Sequence, residues 1–169
     1  RLISIGLVPI LLLTVVAPEL FLLIFGEVWW TAGEYVRWLG SWLFLVFISS
    51  PLSVLYTVLE RQREGLVINI IMFSFRLVAL VIGGIMGDDV FAIALFGLIS
   101  TALWIFNTLF ILHIARVPFI KAYKVTLKQI LYGLPFILSP LITWHLTDSS
   151  FAYLFAGCSA GIIFIFLQA

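Results

Sequence analysis

Between Asp89 and Arg116 the chain runs through 26 residues without one Asp, Glu, Lys or Arg. At 1.5 Å per residue that run makes a helix of about 39 Å, longer than the ~30 Å hydrocarbon core of a bilayer. Runs of the same kind recur, and six segments are expected to be helices that cross a membrane: 2–17, 36–59, 65–86, 90–115, 130–146 and 151–168. The rest of the composition agrees. The chain is 64% apolar and 10% charged, with a mean hydropathy of +1.26. Soluble domains carry about 25% charge, and a body this small leaves much of its surface in water. A soluble enzyme, a secreted disulfide domain and a disordered chain are therefore excluded. The single cysteine, Cys158, makes no internal bridge and reads as packing. The expected fold is all-α: one polytopic membrane helical bundle over residues 1–169, with about six transmembrane helices.

The connections alternate in charge. Arg1, the turn at 60–64 with Arg61 and Arg63, and the loop at 116–128 with Arg116, Lys121, Lys124 and Lys128 hold seven of the nine basic residues. The intervening connections hold Glu19, Glu27, Glu34, Asp88, Asp89 and Asp148, six of the eight acids. Cytoplasmic loops carry the excess of Lys and Arg. The start of the chain and the loops 60–64 and 116–128 are thus expected on the cytoplasmic side. Trp29, Trp30, Trp38, Trp42, Trp144 and Tyr153 gather toward the predicted outer face, with Tyr123 and Tyr132 toward the inner one. Aromatic rings of this type favour the half-wet zone. Pro18 is expected to end the first helix, leaving 19–25 as a short piece on the outer surface. The chain opens at Arg1 inside an apolar run, without Met, so both ends are expected to be edges within a longer protein.

Within the spans, Arg76 is the most informative residue. It stands ten residues from both Leu66 and Met86, roughly 15 Å from either end of its helix. An arginine at that depth costs about 2.5–3.5 kcal/mol to insert, so it faces protein or water and not lipid. Helical spacing puts Asn69, Phe73, Arg76, Leu80 and Gly83 on one stripe. None of the six expected spans carries a carboxylate to neutralise it. The guanidinium fork suits phosphate and carboxylate, so one reading is a cationic site for an acidic or phosphate-bearing substrate. The other is an arginine that locks helices together. Arg37 lies one turn inside the second span and marks the mouth of the same path or snorkels to the headgroups. Gly97, Ser100, Trp104 and Asn107 form a stripe on the fourth span. Asn107 there binds sugar hydroxyls with Trp104 stacking on a ring, or else serves as interhelical glue. Pro51 among Ser49, Ser50 and Ser53 predicts a helix irregularity, as do Pro135 and Pro140.

Other chemistries lack their residues. No glycine-rich phosphate loop with lysine occurs, and no Cys/His cluster has metal spacing. His145 and Asp148 are too few for a metal site, and Gly87-Asp88-Asp89 reads as a solvated turn. The basic loop at 116–128 suits anionic lipid headgroups and gives no reason to invoke nucleic acid. Neither a cofactor nor enzymatic activity is expected.

Ala17-Pro18, then Leu23-Ile24-Phe25-Gly26, Trp29 or Trp30, Ala32 and Tyr35, resembles a stretch of polysaccharide and O-antigen flippases. Pro51, Leu59, Arg61, Asn69 and Arg76 continue the likeness through the next two spans. These proteins belong to the multidrug/oligosaccharidyl-lipid/polysaccharide exporter superfamily. The resemblance implies a bacterial cytoplasmic-membrane protein, of which this chain is a C-terminal part and half of a two-bundle exporter fold. It implies polyprenyl-diphosphate-linked sugars as substrate, membrane lipids and the N-terminal bundle of the same protein as partners, and Arg76 as a cation of the cavity. Asn69, Asn107, Trp104 and Arg37 are the further cavity candidates. A multidrug exporter is the alternative within the superfamily, but its cationic substrates call for buried acids. A membrane-embedded glycan polymerase or transferase is the alternative outside it, and its larger polar loops are not found here.

Overall fold

A computed structural model of the chain describes residues 2–118 and, further on, residues 120, 124, 127, 128, 131, 134, 138, 156, 157, 159, 160, 163 and 164. All regular structure among them is helical. Helix α1 spans Leu2–Phe25. A 3-10 turn, Glu27–Trp29, leads into α2, Trp30–Ser49. A second 3-10 turn, Ser50–Ser53, joins α2 to the short α3, Val54–Val58. Then come α4, Gln62–Ile85, and α5, Asp89–Ile114.

Three stretches among the described residues are long and apolar enough to cross a membrane: Glu27–Val58, Gln62–Ile85 and Asp89–Ile114. The last two match the expected spans 65–86 and 90–115, and the first covers all but the last residue of the expected span 36–59 but begins nine residues earlier. Three is therefore the number that the described residues support, not six. The expected spans 130–146 and 151–168 lie outside them apart from isolated positions.

The first expected span is corrected. Helix α1 does not stop at Pro18 but continues to Phe25, so 19–25 is its last part and not a separate surface piece. Proline removes one backbone donor, a loss that neighbouring helices can compensate in membranes. Here Pro18 is fully buried, and its backbone lies directly under Gly33 of α2. Arg37 Nη2 donates to the Val15 carbonyl at 3.4 Å, beside the Thr14 carbonyl that Pro18 cannot satisfy. Packing has overruled the local rule.

Pro51 sits where the sequence places an irregularity, inside the 3-10 turn between α2 and α3. Ser53 Oγ donates to the Ser50 carbonyl at 2.6 Å, while Ser49 reaches across to Thr108 at 2.8 Å. Two helix ends close with a residue in left-handed conformation. Glu60 has φ 57 and Arg116 has φ 54. The bonds from Arg61 N to Tyr56 O and from Val117 N to Leu112 O complete the same capping pattern at both. The turn between α4 and α5 uses Gly87 at φ 72, then Asp88 as N-cap, accepting from Phe91 N at 3.0 Å.

The helices pack in the order α1, α2, α5, α4, while α2 and α4 are not packed along each other. Antiparallel α1 and α2 meet where Gly33 faces Pro18 and Gly40 faces Thr14. Parallel α2 and α5 meet through Gly97 on the Trp38 carbonyl, Ser41–Thr101 at 3.1 Å and Ser49–Thr108. Antiparallel α4 and α5 meet at Gly83 and Ala92. Small residues at each crossing let backbones approach, which is how helices associate without a hydrophobic drive between them. Ala160 and Phe164 pack with Leu12 and Phe44 in the core between α1 and α2. α2 and α4 thus flank α5, and the seam between them over α5, called the groove, is where Arg76 lies.

Candidate functional site: an unpaired arginine in the groove

The inward face of α4 is set by Gly65, Ile68, Met72, Ala79 and Gly83, all buried. Arg76 falls on this row, one turn after Met72 and just before Ala79. The stripe predicted through Asn69, Phe73, Arg76, Leu80 and Gly83 is rotated from it. Phe73 is 62% exposed and Leu80 39%, and Asn69 is exposed as well. The small residues, not the polar ones, choose which side of α4 turns inward.

Arg76 reaches from α4 to α2. Its guanidinium carbon lies 5.4 Å from the centre of the Trp42 ring, a cation–π contact. Trp42 in turn stands edge-on to Phe96 of α5, with centres 5.3 Å apart and planes at 89°. Arg76 Nε and Nη2 are buried and have no hydrogen-bond partner among the described residues. No carboxylate among those residues pairs with Arg76; the ion pairs present there involve Arg37 and Arg61. Three more buried polar atoms on the helices around the groove lack partners: Trp42 Nε1, Trp104 Nε1 and Ser100 Oγ. Buried polar groups are nearly always bonded; five described residues carry such orphaned atoms, Glu19 on α1 and the four on α2, α4 and α5 that require an explanation here.

The other predicted residues divide. Trp104 is partly buried against the cluster of Tyr56, Ile68, Met72 and Ile111. Asn107 is 6% exposed, and its Oδ1 accepts from Tyr56 Oη at 2.8 Å, an arrangement that joins α3 to α5. Asn69 Nδ2 donates to the Gly65 carbonyl of its own helix at 2.9 Å. Arg37 is held by Glu34 at 2.8 Å and lies 3.7 Å from Glu19. The structure thus joins neither Asn69, Asn107 nor Arg37 to the surroundings of Arg76. His145, Asp148 and Cys158 lie outside the described residues.

Tyr56→Phe tests the packing role of Asn107. The change strands a buried amide oxygen; such contacts average about 0.6 and reach about 1.7 kcal/mol in membrane proteins. A stability loss near 1 kcal/mol is expected in reversible denaturation, with partial recovery in Tyr56→Phe/Asn107→Leu. No loss in the single variant would contradict the assigned role.

No protein-family model matches the chain, and no curated protein or solved structure is significantly similar to it. Function is therefore read from the groove itself.

Trp42 of the site, and Glu19 outside it, escape a reading by sequence. Trp42 groups with the interfacial aromatics, yet it is the thirteenth residue of α2 and so lies deeper than a belt residue. That depth is the signal that could have found it. Glu19 reads as part of an outer connection, whereas α1 carries it as a largely buried carboxylate with side-chain exposure of 13%. Its hidden placement follows from the unbroken helix at Pro18. Elsewhere, Tyr35 Oη donates to Asp89 beside an open cleft of ≈ 470 Å³ lined also by Gly84, Gly87 and Asp88. Its acids are engaged in capping and in that bond. Among the described residues no group of three or more His, Cys, Asp or Glu forms a candidate metal site.

Proposed function

We propose that this chain is part of a bacterial cytoplasmic-membrane flippase, moving lipid-linked oligosaccharide or polysaccharide precursors across the bilayer by alternating access. The observation that carries the reading is Arg76, whose Nε and Nη2 are buried and which has no carboxylate partner among the described residues. An ionisable residue within a membrane span is by default a functional-site hypothesis. A diphosphate brings the negative charge that this position lacks, and guanidinium binds phosphate oxygens by paired, charge-assisted hydrogen bonds. In this proposal sugars and diphosphate pass between α2 and α4 while the polyprenyl tail stays in lipid. A second bundle of the same protein closes the path, and the two rock about a midplane site, as related architectures do. In this reading about six spans belong to this half, and the loops 60–64 and 116–128 face the cytoplasm.

The test replaces Arg76 with Ala and with Lys in the complete protein and measures surface glycan at equal membrane abundance. Arg76→Ala is expected to lower export at least tenfold, with Lys retaining part of it. Normal export by Arg76→Ala would remove the basis for the proposal.

A further inference from the structure

We infer that Trp42, Trp104 and Ser100 act with Arg76 as one oxyanion site, selective for a tetrahedral phosphate group over a planar carboxylate. The inference rests on the reading of Arg76 above and names the residues that set its specificity.

The register brings the four together. Gly97 on the Trp38 carbonyl and Ser41 bonded to Thr101 fix α2 against α5. Gly83 against Ala92 fixes α4 against α5. Counting along the helices, Arg76 falls opposite Ile99 and Ser100, and Trp42 is level with the residue after Thr101. Trp104 is one turn further on. Long and aromatic side chains on a helix lean toward its N-terminus. Trp104 therefore leans back toward Ser100. Arg76, on an antiparallel helix, reaches across to Trp42, with its guanidinium carbon 5.4 Å from the ring centre. Trp42 leans toward Phe96, as its edge-on contact shows.

The chemistry of the set is one-sided. Arginine and tryptophan donate and never accept. Ser100 is fully buried with its hydroxyl unpartnered among the described residues, a second sign independent of the arginine. Neighbouring hydroxyls show that this is no general feature of the bundle, since Thr101 and Thr108 both bond the carbonyl one turn back. The Ser100 hydroxyl can accept as well as donate, but the other three residues only donate, so donors far outnumber acceptors in the set. A carboxylate presents two oxygens in one plane, which a guanidinium fork satisfies alone, leaving the indoles and the hydroxyl unmet. A phosphate group directs further oxygens out of that plane, toward α2 and α5.

The experiment titrates the complete protein in nanodiscs, by calorimetry, with inorganic diphosphate, with farnesyl diphosphate and with a fatty carboxylate of matching chain length. Trp42→Phe and Trp104→Phe keep an aromatic ring, smaller than indole, and delete the donor; Ser100→Ala deletes the hydroxyl. Circular dichroism and Tyr56→Phe serve as controls for folding. At least one diphosphate is expected to bind, with the carboxylate tenfold or more weaker. Each donor deletion should lower diphosphate affinity by about tenfold to a hundredfold, the scale of one hydrogen bond to a charged group. Tighter binding of farnesyl diphosphate than of inorganic diphosphate identifies a lipid headgroup as the source; equal binding identifies a free anion, and both support the site. Equal affinity for the carboxylate, or diphosphate binding unaltered by all three deletions, overturns it. Failure of the transport reading is separable: donor-dependent diphosphate binding with normal glycan export in Arg76→Ala leaves the site standing and removes only the flippase.

Discussion

Arg76→Leu is expected to make the substrate-free protein more stable while abolishing glycan export. The sign follows from competing magnitudes. Holding an arginine at mid-membrane depth costs about 2.5–3.5 kcal/mol on insertion scales. The contact with Trp42 returns about 0.5–2 kcal/mol. No ion pair among the described residues offsets the remainder. Leucine removes the insertion cost and loses the weaker ring contact with it, for a net gain of about 1–2 kcal/mol. An arginine that locked helices through a buried partner would behave in the opposite way, since breaking such a pair costs about 3–5 kcal/mol. Thermal unfolding of the purified protein without substrate therefore separates the two readings by direction. A rise in midpoint together with lost export fits a binding cation. A fall of several degrees would mark a structural one.

Gly33→Val carries the largest expected loss of stability. A Cβ at Gly33 would fall on the Pro18 backbone, within 2.7 Å of its nitrogen and 2.9 Å of the Ala17 carbonyl oxygen. These obstacles are main chain, so no rotamer relieves them, and the helices must separate. Overpacking typically costs about 1–3 kcal/mol, and a backbone clash belongs at the top of that range. Separating α1 from α2 also withdraws Arg37 from Glu19 and from the Val15 carbonyl. Gly84→Val is the matched control, because nothing lies within 4 Å of a Cβ there. It is expected to stay within about 0.5 kcal/mol of the parent, as surface changes do. Equal unfolding midpoints for the two variants would refute the packing assigned to the α1–α2 crossing.

The existence and most limits of the three long apolar stretches were legible because charge is excluded from hydrocarbon, so Arg61 to Glu64, Asp88–Asp89 and Arg116 punctuate the apolar runs; the start of the first of them was not, since α2 begins at Trp30 and takes Glu34 and Arg37 into the helix. Pro51 was legible for a similar local reason. Pro18 was not, since its tolerance depends on Gly33, fifteen residues away and on another helix. The rotation of α4 was hidden for the same cause. Asn69 and Arg76 suggest a polar stripe, yet the burial of Gly65, Ile68, Met72 and Ala79 decides the facing side. Of the site, Arg76 could be read from depth alone. Trp42 could not be assigned to it, because the contact needs α2 and α4 to stand on either side of α5, an arrangement that no helical periodicity encodes.

The groove is tested as an anion site by a solid-state NMR measurement of dipolar coupling between guanidinium nitrogen and phosphorus. It would use the ¹⁵N-arginine-labelled complete protein in bilayers with a lipid-linked diphosphate, compared with Arg76→Lys. An anion seated on Arg76 gives a coupling of direct hydrogen-bond contact that disappears in Arg76→Lys. A spectrum without such a coupling, or one unchanged by the substitution, would mean that the groove holds no anion at Arg76.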